Sequence, residues 1–166
     1  MTVRFDPQRI LETLNHHEVR YVLIGGLAAT FQGSPLVTTD VDIMPERARD
    51  NLDRLSAALK DLDARVRTDA VPEGIPFDHD GESLGAADIW NLKTVAGDLD
   101  ITFVPAGTNG YPDLRKDVRE IEVMGVRVPV ASLADIVRSK EAAGREKDQR
   151  SLPTLRRLLE AEEAGS

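Results

Sequence analysis

The sequence predicts a domain of the α/β (α+β) class, a mixed β-sheet with flanking helices and further helices at the C-terminus. Through residues 1–131, short apolar runs typical of strands alternate with segments whose apolar residues recur at helical spacing. From residue 132 onward the patterns are helical only. A chain of 166 residues suits one domain. We therefore interpret 1–131 as an α/β core and 132–166 as a C-terminal helical segment that packs on it within a single compact domain.

The first half of the chain is expected to supply three helices and two strands. The predicted elements are a helix over 7–17, a strand over 20–24, a short helix over 27–32, a strand over 40–44 and a helix over 47–62. Asp6 is a suitable cap for the first helix, and Pro7 suits its first position. The continuous apolar run Tyr21–Ile24 is typical of a buried strand. Four leucines at helical spacing give the last of these helices one apolar face.

The second half is expected to supply two hairpins followed by two helices. The predicted elements are a short strand over 65–67, a long loop over 69–85, strands over 89–95 and 99–104, a loop or short helix over 109–117, strands over 118–123 and 126–130, a helix from 132, and a helix over 152–162. Gly97-Asp98 and Gly125 are hairpin turn signals. Gly144 separates the two C-terminal helices, and we place Pro153 in the first turn of the second.

Composition excludes several classes of protein. Apolar residues make up 41% and charged residues 30%, which supports a packed core, and an aromatic content of 4% makes that core aliphatic. The absence of cysteine excludes disulfides, thiolate zinc sites and cysteine nucleophiles. No window approaches the roughly 18 apolar residues that span a bilayer, and the N-terminus has no signal-peptide pattern. We therefore expect a cytoplasmic protein without membrane association.

The most specific chemical feature of the sequence is a pair of matching four-residue segments, or tetrads. Residues 40–43 and 98–101 both alternate an aspartate with an apolar residue. Alternate side chains of a strand share a face, so Asp40 and Asp42 should point to one side about 7 Å apart, a costly arrangement unless a cation or water separates them. Asp100 from a neighbouring strand would complete a carboxylate set suited to Mg²⁺, and two such ions support in-line nucleotidyl transfer. Solvated aspartates on an exposed sheet face are an equal alternative at this point.

Two further features favour a phosphate-bearing ligand. Gly25-Gly26 ends a buried strand and opens a helix, and such a turn lets the backbone approach a phosphate, although glycine is common in turns. Basic residues cluster near the predicted C-terminal helices, where Lys140 could reach triphosphate oxygens. They are Arg138, Lys140, Arg145, Lys147 and Arg150. The alternative for this cluster is a solvated helix face.

The distribution of charge sharpens the choice of partner. The formal net charge of −8 argues against a general nucleic-acid-binding surface. Residues 1–137 carry 14 basic and 23 acidic side chains, whereas residues 138–157 carry 7 basic and 3 acidic ones. The last nine residues add three glutamates. The one basic stretch is therefore the segment expected to face a triphosphate, and an RNA backbone could meet the protein at the same edge.

Taken together, these motifs resemble the minimal nucleotidyltransferases of the DNA polymerase β superfamily, and most closely their toxin–antitoxin and abortive-infection branch. The family pattern of a strand, Gly-Gly, a spacer and Asp-x-Asp is matched from Tyr21 to Ile43, with a spacer of thirteen residues between Gly26 and Asp40. The third family carboxylate matches Asp100. The C-terminal signature of a lysine, an arginine and a Lys-Asp pair matches Lys140, Arg145, Lys147 and Asp148.

The resemblance implies a mixed sheet with a nucleoside triphosphate bound between the sheet and the C-terminal helices. It implies that Asp40 and Asp42 hold two Mg²⁺ ions and that Asp100 ligates one of them and acts as base, or orients the acceptor hydroxyl. The nucleotide-binding residues it implies are Gly25, Gly26, Thr38, Thr39, Lys140, Arg145 and Asp148. Close relatives often carry an arginine where this chain has Leu36, so another cation must substitute or nucleotide affinity is weaker.

Three functional hypotheses follow. The first is a Mg²⁺-dependent nucleotidyltransferase that acts as the toxin of a toxin–antitoxin system and transfers NMP from an NTP to RNA, with the tRNA acceptor end as the expected target. The second is an antitoxin-like AMP transferase that modifies a partner protein. Either implies a cognate antitoxin or toxin as partner. The third is a catalytically idle binding domain of the same fold.

Overall fold

An eight-stranded sheet forms the centre of the molecule in the computed structural model, which describes residues 3–165. The strands are β1 Tyr21–Ile24, β2 Asp40–Pro45, β3 Arg65–Thr68, β4 Val71–Ile75, β5 Ile89–Thr94, β6 Gly97–Thr102, β7 Arg119–Val123 and β8 Val126–Val130. The helices are α1 Pro7–His16, α2 Gly25–Thr30, α3 Arg49–Asp61, α4 Gly81–Gly85, α5 Tyr111–Leu114, α6 Leu133–Ala143 and α7 Glu146–Ala164, with a 3₁₀ turn at Arg115–Asp117.

The sheet is mixed, as the sequence predicts. Its strand order is β4-β3-β5-β6-β2-β1-β8-β7. The pairs β2–β6 and β1–β8 are parallel, and the other neighbours are antiparallel. In the β2–β6 pair, Asp40 lies opposite Asp98 and Asp42 lies opposite Asp100. This register places the two tetrads side by side.

Along β2 and β6, successive side chains alternate between the apolar core and the polar face that forms the site. Val41 and Ile43 on β2, and Leu99 and Ile101 on β6, are fully buried, whereas the aspartates between them are half-buried on the opposite face. The apolar face belongs to one aliphatic core to which α1 and α3 contribute. The other face is left polar around the aspartates, so the same alternation that builds the core also builds the site.

The C-terminal helices join the same core. Ile136 and Val137 of α6 and Leu152 and Leu155 of α7 are buried within it. Helix α6 contacts α7 and α2, which brings the basic segment to the side of the sheet that carries α2. Within residues 3–165, no helix has an apolar stretch sufficient to cross a membrane.

The prediction of a loop over 69–85 is wrong in part. Residues Val71–Ile75 form β4, which pairs antiparallel with β3, and Gly81–Gly85 form α4. Pro72 is tolerated because β4 is an edge strand, where a missing N–H costs no ladder hydrogen bond. Helix α4 begins at an Asp80 cap, whose side chain accepts a hydrogen bond from Ser83 N at 2.8 Å.

The start of the last helix is also wrong in the prediction. Helix α7 begins at Glu146 rather than near Leu152, so Pro153 lies inside the helix instead of in its first turn. The Asp148 carboxylate accepts from Arg145 N at 3.2 Å and closes the N-terminus six residues earlier than the proline suggests. The buried cap and the buried apolar side chains of α7 together outweigh the hydrogen bond that Pro153 cannot make.

Candidate active site

A cleft of about 840 Å³ lies between the polar face of the sheet and the C-terminal helices. The residues predicted for the site that line this cleft are Gly25, Gly26, Thr38, Asp40, Asp42, Asp100, Lys140 and Arg145. They come from α2, the segment before β2, β2 itself, β6, α6 and the cap residue of α7. The fold thus gathers in one concave surface side chains that are up to 120 residues apart in the sequence.

Three carboxylates form the floor of the cleft. One oxygen atom from each of Asp40, Asp42 and Asp100 lies within 4.8 Å of the other two. The parallel pairing of β2 with β6 brings this about, because Asp42 and Asp100 are register partners and Asp40 shares their face. Hard oxygen ligands at such separations suit a divalent cation that prefers oxygen, such as Mg²⁺.

The triad is a negative cluster that the nearby cations compensate only in part. Burial, together with the charges of Asp40 and Asp100, raises the pKa of Asp42 to about 7. Burial and the Asp40 carboxylate also raise the pKa of Asp100, although the nearby Arg67 guanidinium opposes the shift. Lys147 and Lys140 are too weak an influence to bring the pKa of Asp42 back to its ordinary value of 3.8. A bound cation would relieve the repulsion directly.

The glycine turn lies against this triad. Gly25 has φ +74°, and a Cβ atom built there would lie 2.4 Å from Asp42 Oδ2. A Cβ on Gly26 would lie 3.2 Å from Thr38 Oγ1, and that hydroxyl donates to the backbone oxygen of Asp40 at 3.2 Å. Helix α2 begins at Gly25 itself, two residues earlier than predicted. The two glycines therefore let a helix N-terminus approach the carboxylates without a side chain between them.

Asp148 organises the cations at the other side of the cleft. Its carboxylate is fully buried and accepts from Arg145 Nε at 2.8 Å and Lys140 Nζ at 3.4 Å. Burial alone would raise the pKa of Asp148, but the hydrogen bonds and charges of Arg145 and Lys140 outweigh it and lower the pKa. Lys140 and Arg145 line the cleft, whereas Asp148 lies behind them. The structure therefore gives Asp148 a structural contact with two predicted nucleotide-binding residues rather than a place in the cleft.

Thr39 is the other predicted residue that the structure leaves outside. It is exposed and is not among the described residues that line the cleft, while its neighbours Thr38 and Asp40 are. The reason is strand alternation, because successive side chains at the start of β2 point to opposite sides.

Two further cations line the cleft: Arg67, which was not predicted, and Lys147, which was named only as part of the basic cluster and the C-terminal signature. Arg67 on β3 lines the cleft, and its Nη2 donates to Asp100 Oδ1 at 2.7 Å. Lys147 at the start of α7 lines it too and makes no salt bridge within the described residues. The predicted strand 65–67 could have indicated that Arg67 lies on one face of the sheet. The sequence did not show the strand order that places its guanidinium beside Asp100. These cations line the same cleft as Leu36.

Most of the basic segment is neutralised within the protein. Of the seven basic side chains in residues 138–157, five form ion pairs in the described structure. These five are Arg138, Lys140, Arg145, Arg150 and Arg156. The segment therefore offers much less free positive charge to an RNA backbone than its composition indicates.

Comparison with known proteins places this fold and cleft in the nucleotidyltransferase class. Residues 8–155 match the model of the aminoglycoside-2''-adenylyltransferase family. The chain belongs to that family. A comparison with curated protein sequences finds no match.

Solved structures agree with this assignment of the fold. The lincosamide antibiotic adenylyltransferase LnuA, solved with lincomycin bound, is 17% identical with a TM-score of 0.61, covering 93% of this chain and 99% of its own. ANT(2'')-Ia in complex with adenylyl-2''-tobramycin is 15% identical with a TM-score of 0.60, covering 95% and 89%. A candidate nucleotidyltransferase from Thermotoga maritima is 21% identical with a TM-score of 0.52, covering 93% and 91%. At these identities the likeness establishes the fold.

The predicted superfamily is therefore confirmed, and the predicted branch is not. A nucleotidyltransferase core with a mixed sheet was expected and is found. The toxin role, the RNA acceptor and the cognate antitoxin receive no support from these comparisons and stay predictions.

Proposed function

We propose that this protein transfers a nucleoside monophosphate from a Mg²⁺-bound nucleoside triphosphate to a hydroxyl group of a small-molecule acceptor. The observation that carries this proposal is the triad of Asp40, Asp42 and Asp100 within 4.8 Å, at the floor of a cleft of about 840 Å³. A cleft of that volume accommodates a nucleotide together with part of a small acceptor.

The triad fits Mg²⁺ by its donor chemistry. Three carboxylate oxygens converge, and the raised pKa of Asp42, about 7, reflects like charges and burial that a cation would offset. Asp40 and Asp42 would hold two ions, and Asp100 would share one of them. When bound, the ions supply positive charge that stabilises the attacking and leaving oxygens of an in-line displacement.

The glycine turn and the cations would hold the triphosphate. Gly25 and Gly26 line the cleft at the start of α2, whose N-terminal amides would bind phosphate oxygens. Lys140, Arg145 and Lys147 line the cleft from the C-terminal helices and supply the positive charge that a triphosphate requires.

The transfer step needs one proton acceptor. The acceptor hydroxyl oxygen bonds to the α-phosphorus, the bond between that phosphorus and the oxygen bridging to the β-phosphate breaks, and pyrophosphate leaves. The hydroxyl proton passes to a carboxylate, for which we propose Asp100. Asp100 lines the cleft beside Asp40 and Asp42, where the acceptor hydroxyl would have to lie for transfer.

A small acceptor is better supported than RNA. Two neighbours of the same fold were solved with lincomycin and with adenylyl-2''-tobramycin bound. Outside the cleft, Arg138, Arg150 and Arg156 are already paired with carboxylates, which leaves little free charge there for a nucleic-acid backbone.

A labelled-nucleotide screen tests the proposal. The protein is incubated with Mg²⁺, each of the four NTPs carrying an α-phosphate label, and in parallel a panel of small hydroxyl compounds, total tRNA and a protein extract. We expect label on a small molecule, and we expect Asp42→Asn to reduce transfer at least 100-fold. The matched control is Asp69→Asn, an exposed aspartate outside the cleft. Label found on RNA or protein alone, or transfer undiminished in Asp42→Asn, would contradict the proposal.

A further inference from the structure

The mouth of the cleft carries an unusual concentration of exposed apolar side chains. The described residues include eight exposed large hydrophobic side chains, and four of them line the cleft. These four, the apolar rim, are Leu36, Val37, Ile89 and Val104. Val37 is 92% exposed and Ile89 is 57% exposed. Single exposed hydrophobic residues are ordinary, but a group around one opening indicates a contact surface.

The residues of the rim lie near the strands and the segment that carry the triad. Val104 follows the end of β6, the strand that carries Asp100, by two residues and lines the same cleft. Ile89 begins β5, opposite Thr102 of β6, which also lines the cleft. Leu36 and Val37 immediately precede Thr38, which also lines the cleft. An acceptor whose hydroxyl reaches the triad would therefore lay its far end against the rim.

The charges that line the cleft are poorly suited to a polycation. Outside the triad, Asp135 is the only carboxylate among the described lining residues. Its Oδ1 pairs with Arg138 at 3.1 Å, and its Oδ2 is buried without a hydrogen-bond partner in the described structure. Four cations line the same cleft, namely Arg67, Lys140, Arg145 and Lys147. Because that second oxygen is buried, the described lining offers no free carboxylate outside the triad, and an acceptor bearing several ammonium groups would leave them unpaired.

We propose that the acceptor is an amphiphilic hydroxyl compound, with one apolar side that packs on the rim and at most one ammonium group. This inference rests on the proposed function and names its substrate class. The proposed acceptor class differs from the polyamine acceptor in the name of the family. The rim favours an apolar surface, and the cleft lacks the carboxylates that several ammonium groups require. A second copy of the chain covering the rim is the competing occupant.

Two probes and two matched double variants test this inference. Lincomycin, which carries one amine and an alkyl chain, represents the amphiphilic class, and tobramycin represents polyamines. The rim variant is Ile89→Ser with Val104→Ser. The control is Ile75→Ser with Val95→Ser, which removes an isoleucine and a valine of similar exposure outside the cleft. Titration calorimetry gives the affinity of each probe, transfer assays give kcat and KM, and sedimentation gives the oligomeric state.

We expect lincomycin to bind more tightly than tobramycin, and the rim variant to weaken lincomycin binding about tenfold, because it removes two apolar contacts. The control variant should bind lincomycin as the native chain does. The inference is overturned if tobramycin is preferred, if both variants lose affinity equally, or if the rim variant merely dissociates a dimer. Rim-dependent lincomycin binding without any nucleotidyl transfer would contradict the proposed function and leave the inference standing.

Discussion

The Nη2 atom of Arg67 lies 2.7 Å from Oδ1 of Asp100, although β5 separates their two strands. The arginine reaches across β5 and also donates from Nη1 to the backbone oxygen of Leu92 at 3.2 Å. Its guanidinium holds one oxygen of the triad in place and opposes the rise in the pKa of Asp100 that burial causes. Arg67 is therefore a positioning residue for the proposed proton acceptor.

Removal of this contact should weaken transfer without unfolding the protein. We expect Arg67→Ala to lower kcat about 10- to 100-fold, the usual cost of losing a residue that orients a metal-site ligand. Its optimum should shift to higher pH, since the pKa of Asp100 rises when the opposing cation is lost. Arg67→Lys should recover part of the loss. Arg65→Ala on the same strand is the control, because Arg65 lies outside the cleft, and an equal loss there would contradict the role.

Gly25 should tolerate no side chain. An alanine there adds the strain of φ +74° and places a Cβ atom 2.4 Å from Asp42 Oδ2. Gly125→Ala is a close control, because Gly125 has φ +76° and nothing within 4 Å of the added atom. We expect both variants to lose about 1 kcal/mol of unfolding free energy from backbone strain. In urea unfolding and transfer assays, only Gly25→Ala should lose more stability than this and lose activity. Equal behaviour of the two variants would disprove the clash.

The buried cap of α7 should make stability depend on pH. Asp148→Asn leaves Arg145 and Lys140 without their carboxylate, and we expect a loss of about 2 kcal/mol at pH 7. The pKa of Asp148 is lower in the folded chain than its ordinary value of 3.8, so its contribution is complete above that value. It is lost as pH falls through the lowered folded pKa, and the native chain and variant should then converge. Urea unfolding measured from pH 3 to 7 checks this.

Glu146→Gln serves as the control for that series, because Glu146 is exposed and pairs only with Arg150 within the described residues. Its unfolding free energy should stay within about 0.5 kcal/mol of the native value. A difference between the native chain and Asp148→Asn that does not narrow in acid would show that the charge of Asp148 is not what stabilises α7.

Lys147 should act on nucleotide binding alone. It is exposed, lines the cleft and makes no salt bridge within residues 3–165, so its removal breaks no internal contact of that kind. We expect Lys147→Ala to raise KM for the NTP about fivefold to tenfold, with an effect that shrinks in high salt. Thermal stability should be unchanged. Arg150→Ala, an exposed helix cation outside the cleft, should leave KM as it is, and a matching rise would disprove a specific contact.

Local pattern was sufficient for much of the fold. Apolar periodicity predicted most strands and helices, because burial of one strand face or one helix stripe shows in the pattern of neighbouring residues, and the family resemblance implied the mixed sheet. Where prediction failed, a longer-range contact decided. Pro153 suggested a late start for α7, but the buried Asp148 cap moved it to Glu146. The polar segment 69–85 has no pattern typical of a strand, yet Val71–Ile75 pairs with β3 as an edge strand.

The sequence by itself determined which chemical groups the site contains. These are the glycine turn, the two Asp-x-Asp tetrads and the basic C-terminal segment, which are short patterns whose spacing has a physical reason. Only the tertiary structure decided which of their members meet. Parallel pairing of β2 with β6 joined Asp42 to Asp100, and the strand order aimed Arg67 at the same carboxylate. Asp148, which was expected to contact the nucleotide, is buried and instead forms ion pairs with Lys140 and Arg145. Strand pairing and burial are non-local, so no window of sequence contains them.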